Sequence, residues 1–141
     1  MNNLLIRFLK SRLRGLLLRA LILLLGFKVA LRIIPFAKLR KWIPKCAQTS
    51  SGTQQYTAEQ IAYAVKAVGQ YVWPDRACLP EALTAYVLLR QQGYAPQLQI
   101  GVRQLAHNKI IGHAWVELNQ SVLVGYGSTL SQFTKLPQIM P

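Results

Sequence analysis

Two side chains in this sequence suit thiol acyl transfer. Cys78 stands at the head of the run Cys78-Leu79-Pro80-Glu81, and His113 opens His113-Ala114-Trp115-Val116-Glu117. A thiolate is a strong nucleophile, and an imidazole can take and return the proton that such a reaction moves. If Cys78 begins a helix, the unpaired N–H groups and the dipole of that terminus favour the thiolate form, and the Cys78 N–H is a candidate oxyanion donor. By residue type alone, a helical cysteine is more often a small buried hydrophobe than a nucleophile. Cys46, after Pro44-Lys45 at the edge of a polar stretch, and His107, beside Asn108 in a loop, read as exposed bystanders. Two cysteines and two histidines so dispersed show no metal-ligand spacing, and no cofactor is evident. The residues leave any nucleotide requirement open.

The elements around these side chains can be read from spacing. Pro80 in a first turn, Glu81 at the same end, then Ala82, Leu83, Tyr86, Val87 and Leu89, with Arg90 before Gly93, describe a helix with both its signals in place. Upstream, Thr57 and Gln60 resemble a capping box, and Ile61, Val65 and Val68 recur at helical intervals, so 58–70 is expected to be a helix ended by Trp73-Pro74. Downstream, Leu98, Ile100 and Val102 alternate with Gln97, Gln99, Gly101 and Arg103 as in a half-buried strand. In the next strand, 112–118, Ala114, Val116 and Leu118 face the core while His113, Trp115 and Glu117 face the site. Trp115 then walls a substrate groove or fills space beside the helix, and Trp73 is a second groove candidate. Asn119-Gln120 reads as a tight turn from which 121–124 returns antiparallel.

That register puts Tyr126 opposite His113. No aspartate follows Asp75, so the group that orients the imidazole stays open. Tyr126, Asn119 or a backbone carbonyl are candidates. Glu117 shares the histidine's face but lies four residues along the strand, roughly 13 Å away, and serves only in a different register.

Charge divides the chain. Of a net +13 over 141 residues, residues 1–58 hold eleven Lys or Arg and no acid, while 59–141 hold six against Glu59, Asp75, Glu81 and Glu117. Such a length suits one compact domain with an appendage. Residues 3 to about 43 read as basic, leucine-rich helices with Arg7, Lys10 and Arg14 on one face, broken at Pro35. They are placed to lie on an anionic membrane surface, to pack on a partner, or to cover the following domain. Nucleic acid is disfavoured, because the cations alternate with leucines rather than aromatics. The apolar stretch 20–27 is too short to span a bilayer, and no signal-peptide cleavage site follows it. A polar stretch, 46–57, reads as a linker between the 1–45 segment and a domain over 58–141. Two cysteines in unlike settings argue against a disulfide and for a reducing cytoplasm, with membrane-surface association as an option.

Taken together, Cys78-Leu79-Pro80-Glu81-Ala82-Leu83, Leu88-Leu89-Arg90-Gln91-Gln92-Gly93-Tyr94, Gln99-Ile100-Gly101-Val102-Arg103 and His113-Ala114-Trp115-Val116-Glu117 resemble the transglutaminase-like leader peptidase of lasso-peptide biosynthesis. Val122-Leu123-Val124-Gly125 and Phe133-Thr134-Lys135-Leu136 resemble its C-terminal end, so the likeness covers roughly 60–137. It implies an α+β, papain-like cysteine peptidase fold with Cys78 as nucleophile and His113 as base, and removal of the leader from a ribosomally made precursor peptide. It also implies a separate leader-recognition protein and an asparagine-synthetase-like cyclase as partners. A scaffold that kept the fold without the chemistry, binding precursor or cyclase, is the alternative from another class. Acyl transfer to an amine instead of water is a second enzymatic option.

Overall fold

The computed structural model describes residues 2–48, 54–72, 78–125 and 130–137. Four helices, α1 (Asn2–Ile33), α2 (Phe36–Cys46), α3 (Ala58–Val72) and α4 (Cys78–Gln91), precede strands β1 (Gln97–Gln104), β2 (Ile110–Leu118), β3 (Ser121–Val124) and β4 (Thr134–Lys135). The strands form one antiparallel sheet in the order β3-β2-β1-β4. The class is therefore α+β.

Local chemistry sets the helix ends. Pro35 sits at the N-cap of α2 with φ −59° and ψ 143°, and its ring disfavours helix in the residue before it, so α1 stops at Ile33. The capping box of α3 is formed in both directions: Gln60 N–H donates to Thr57 Oγ1 at 3.1 Å, and Thr57 N–H donates to Gln60 Oε1 at 3.0 Å. Gly93, at φ 89°, ends α4 in a Schellman motif, with Tyr94 N–H on the Leu89 carbonyl and Gly93 N–H on that of Arg90.

The strands depart from expectation at their margins. β2 starts two residues before Gly112, and β4 was not foreseen, since two exposed residues carry no alternation to read. Asn119 and Gln120 make the turn with φ of 52° and 67°, the left-handed pair that a two-residue hairpin needs, although neither is glycine. From there Leu118 pairs with Ser121 and Glu117 with Val122, but Val116 pairs with Val124. Leu123 is the extra residue of a bulge, and it slips the register by one. The expected pairing of Tyr126 with His113 assumed an unbroken ladder, which the bulge removes. Tyr126 itself lies outside the described residues, as does Trp73.

One core runs through the front and back of the chain. Leu16, Ala20 and Leu24 from α1 and Leu39 and Ile43 from α2 join the same buried cluster as Ile61 and Val65 of α3, Leu83 and Leu89 of α4, and Val116 of β2. The basic helices thus cover the residues that follow them, with an inward face at positions 16, 20, 24 and 27. Leu24→Ala is expected to lower the unfolding free energy by about 2–5 kcal/mol through lost burial and a residual cavity. Val29→Ala, on the exposed side of the same helix, is expected to change it by about 0.5 kcal/mol or less. Urea titrations of both variants check the pair.

Candidate active site

Cys78 is the first residue of α4 and is partly exposed. Behind it, Pro80 and every residue from Ala82 to Leu89 are buried, so the helix start is held by its own body. Thr84, the polar residue in that run, donates its hydroxyl to the Pro80 carbonyl at 2.7 Å and leaves no buried group unmet there. α3 comes close alongside. A Cβ on Gly69 would collide with the Glu81 carboxylate, so glycine at that position lets the first turn of α4 carry its acid against α3.

His113 enters from β2. Its Nε2 lies 2.7 Å from the Gly125 carbonyl oxygen. A carbonyl only accepts, so Nε2 is the donor, and in the neutral ring Nδ1 then keeps its lone pair, the form required of a base. The ring is also confined by aromatic neighbours: Trp115 stacks at a centroid distance of 5.9 Å and Phe133 lies tilted at 5.5 Å. Gly125 has φ 90°, and a Cβ there would sit 2.7 Å from Trp115 Cβ and 2.8 Å from the Ala114 carbonyl. Only glycine allows β3 to leave the sheet in this direction and present its carbonyl to the imidazole.

Cys78 and His113 line one cavity of about 470 Å³, together with Gly112 of β2, Gly125 just after β3, Lys66 and Gln70 from α3, and Glu81 from α4. The wall is mixed in charge: a cation and an amide one helical turn apart on α3 face the acid on α4. Sequence reasoning missed Lys66, Gln70 and Glu81 as site residues. Their one available signal was the i, i+4 placement of Lys66 and Gln70 on the polar side of a helix whose other face is core.

The remaining candidates fall elsewhere. Trp115 is 1% exposed and backs the histidine instead of lining the cavity; Gly101 makes room for it, since a Cβ there would meet Trp115 Cζ3 and Cη2 and Phe133 Cβ at 2.9 Å. Glu117 accepts from Trp115 Nε1 at 2.9 Å and from Lys135 Nζ at 3.1 Å. It shares a separate hollow of about 190 Å³ with Asn119 at the hairpin end. Of the candidates for orienting the ring, the one found bonded to it among the described residues is the backbone carbonyl. His107 is exposed in the β1–β2 connection at φ 64°, and Cys46 closes α2. Arg103 donates to Gln132 and lies 5.9 Å from the Phe133 centroid.

A cysteine at the start of a buried helix and a histidine on the adjoining antiparallel sheet thus line one cavity. Residues 21–138 match the family model described as the transglutaminase-like superfamily, and the chain belongs to that superfamily. The match begins inside α1, well before the residues that carried the motif resemblance. No curated protein and no solved structure matches the chain.

Two outcomes follow for the histidine's surroundings. Burial alone would raise the Glu117 carboxyl, but hydrogen bonds from Trp115 and Lys135 and the charge of Lys135 outweigh it and hold the group below its ordinary value of 4.5. A carboxyl depressed in the folded state contributes stability above its unfolded pKa and loses it as pH falls through the folded value. Melting temperature is therefore expected to drop below about pH 4.5 more steeply in the parent than in Glu117→Gln. Gly125→Ala is expected to cost more than about 1 kcal/mol, because the added Cβ meets a left-handed φ and two close neighbours. It should also shift the His113 ring nitrogen resonances away from the Nε2-protonated pattern.

Proposed function

We propose that this chain is a cysteine peptidase that removes the leader from a lasso-peptide precursor. The observation that supports this most is that Cys78 and His113 reach one cavity from different elements in a chain of the transglutaminase-like superfamily. The narrower assignment draws its support from the resemblance of Cys78-Leu79-Pro80 and His113-Ala114-Trp115-Val116-Glu117 to the leader peptidases of that pathway.

The chemistry follows from the tautomer. Nδ1 of His113 takes the thiol proton, Cys78 Sγ attacks the scissile carbonyl, and the resulting imidazolium gives its proton to the leaving amine. A thioester remains on Cys78. Water, deprotonated by the same Nδ1, attacks it; the C–S bond breaks, the thiol is restored and the leader leaves as a carboxylate. Throughout, the Nε2–H bond to the Gly125 carbonyl keeps the ring from flipping and gives the imidazolium a partial negative charge to rest against. The Cys78 N–H at the helix terminus is a donor for the oxyanion. In this reading a separate recognition protein delivers the precursor, and the cyclase takes up the freed end.

In a mixture of precursor, recognition protein and this chain, Cys78→Ala is expected to abolish leader removal, and His113→Ala to slow it by about 10²-fold or more. Precursor binding should survive both changes. Cleavage that continues undiminished in Cys78→Ala would leave the chain as a scaffold and the chemistry with another component.

A further inference from the structure

α1 carries two apolar stripes, and the core uses one of them. Leu16, Ala20, Leu24 and Phe27 are buried, whereas Leu18, Ile22, Leu25, Val29 and Ile33, spaced i, i+4, i+7, i+11 and i+15 along the opposite side, are 41–75% exposed. The outer stripe runs for roughly 22 Å at 1.5 Å per residue. Arg14 precedes it, Arg32 lies beside its last turn and Arg19 stands on its shoulder, all exposed. Trp42 of α2 is exposed as well. Where α1 meets α3, the apolar surface continues into a groove of about 430 Å³ lined by Leu17, Leu18, Leu21, Val68 and the exposed Tyr71, with Arg14 at its border.

We infer that this face docks on an anionic lipid surface, with α1 lying in the plane of the headgroups. Charge selects the occupant. Residues 1–58 hold eleven cations and no acid, so a second copy would bring like charge to the same face, while acidic headgroups complement it. A stripe of aliphatic side chains bordered by arginines, with a tyrosine in the adjoining groove, is the composition of an interfacial helix. Among the described residues no helix is long and apolar enough to cross a membrane, which agrees with an in-plane orientation. The stripe lies opposite the face that seals the core, so docking needs no unfolding.

Flotation of the full chain with vesicles of phosphatidylcholine alone, or with about one-third phosphatidylserine, tests this. Binding is expected to be roughly tenfold or more stronger to the anionic vesicles and to weaken with added salt. The double substitution Ile22→Glu, Val29→Glu is expected to reduce it roughly tenfold at unchanged melting temperature and unchanged Cys78 alkylation. In the unsubstituted protein the loss of binding with added salt is a readout independent of how any variant folds. Equal binding to both vesicle types, binding indifferent to salt, or undiminished binding by the folded double variant would overturn the proposal. So would a dimer in solution that the same two substitutions dissolve, which would give the face to a second copy.

Discussion

The burial of α4 is the constraint on which the other elements depend. From Pro80 to Leu89 only Glu81 reaches solvent even in part, and a helix apolar on every side must be enclosed on every side. α1 and α3 supply two walls and the sheet, through β2, supplies another. Each fully buried leucine, valine or tyrosine adds on the order of 1.5–3 kcal/mol of transfer free energy before chain entropy is subtracted. The residue at the partly exposed tip of this helix, Cys78, is therefore anchored by a helix enclosed along most of its length. His113 sits on β2, a strand flanked on both edges, so both side chains that share the cavity are borne by central elements.

Among the described residues the histidine is held by a main-chain acceptor rather than by the carboxylate of the usual triad. A carboxylate bonded to an imidazole fixes the tautomer and stabilises the charged ring, and charge-assisted bonds of that kind are about twice as strong as neutral ones. The Gly125 carbonyl does the first of these fully and the second in part. The stacked Trp115 and the tilted Phe133 add orientation that does not depend on charge. Glu117, the acid on the same strand, is committed to holding Trp115 and Lys135, so its effect on the imidazole passes through the indole.

Much of this was legible in the residues. Thr57 with Gln60 and Gly93 mark their helix ends through local hydrogen bonds that need no tertiary partner, and the structure places them there. The alternation around Ile100 and Val116 gave the central strands for the same reason: period two is a local property. What could not be read depends on contacts distant in sequence. β4 owes its existence to β1, and a two-residue strand has no pattern of its own. The bulge at Leu123 lies two residues before Gly125, which passes close to Trp115. Lys66 and Gln70 look like any solvated helix face until Cys78 and His113 are set opposite them. The basic front end forms α1 and α2, and the two-sided apolarity of α1, one stripe inward and one outward, emerges only when burial is known.

The acceptor bonded to the imidazole belongs to the main chain, and that has a genetic consequence. Every residue carries a carbonyl, so no codon change removes this oxygen; a survey that truncated each acid, amide and hydroxyl in turn would pass over it without a signal. Selection acts on it through the backbone torsion of Gly125, so a change at that one codon, and not the loss of a polar side chain, is what withdraws the ring's support.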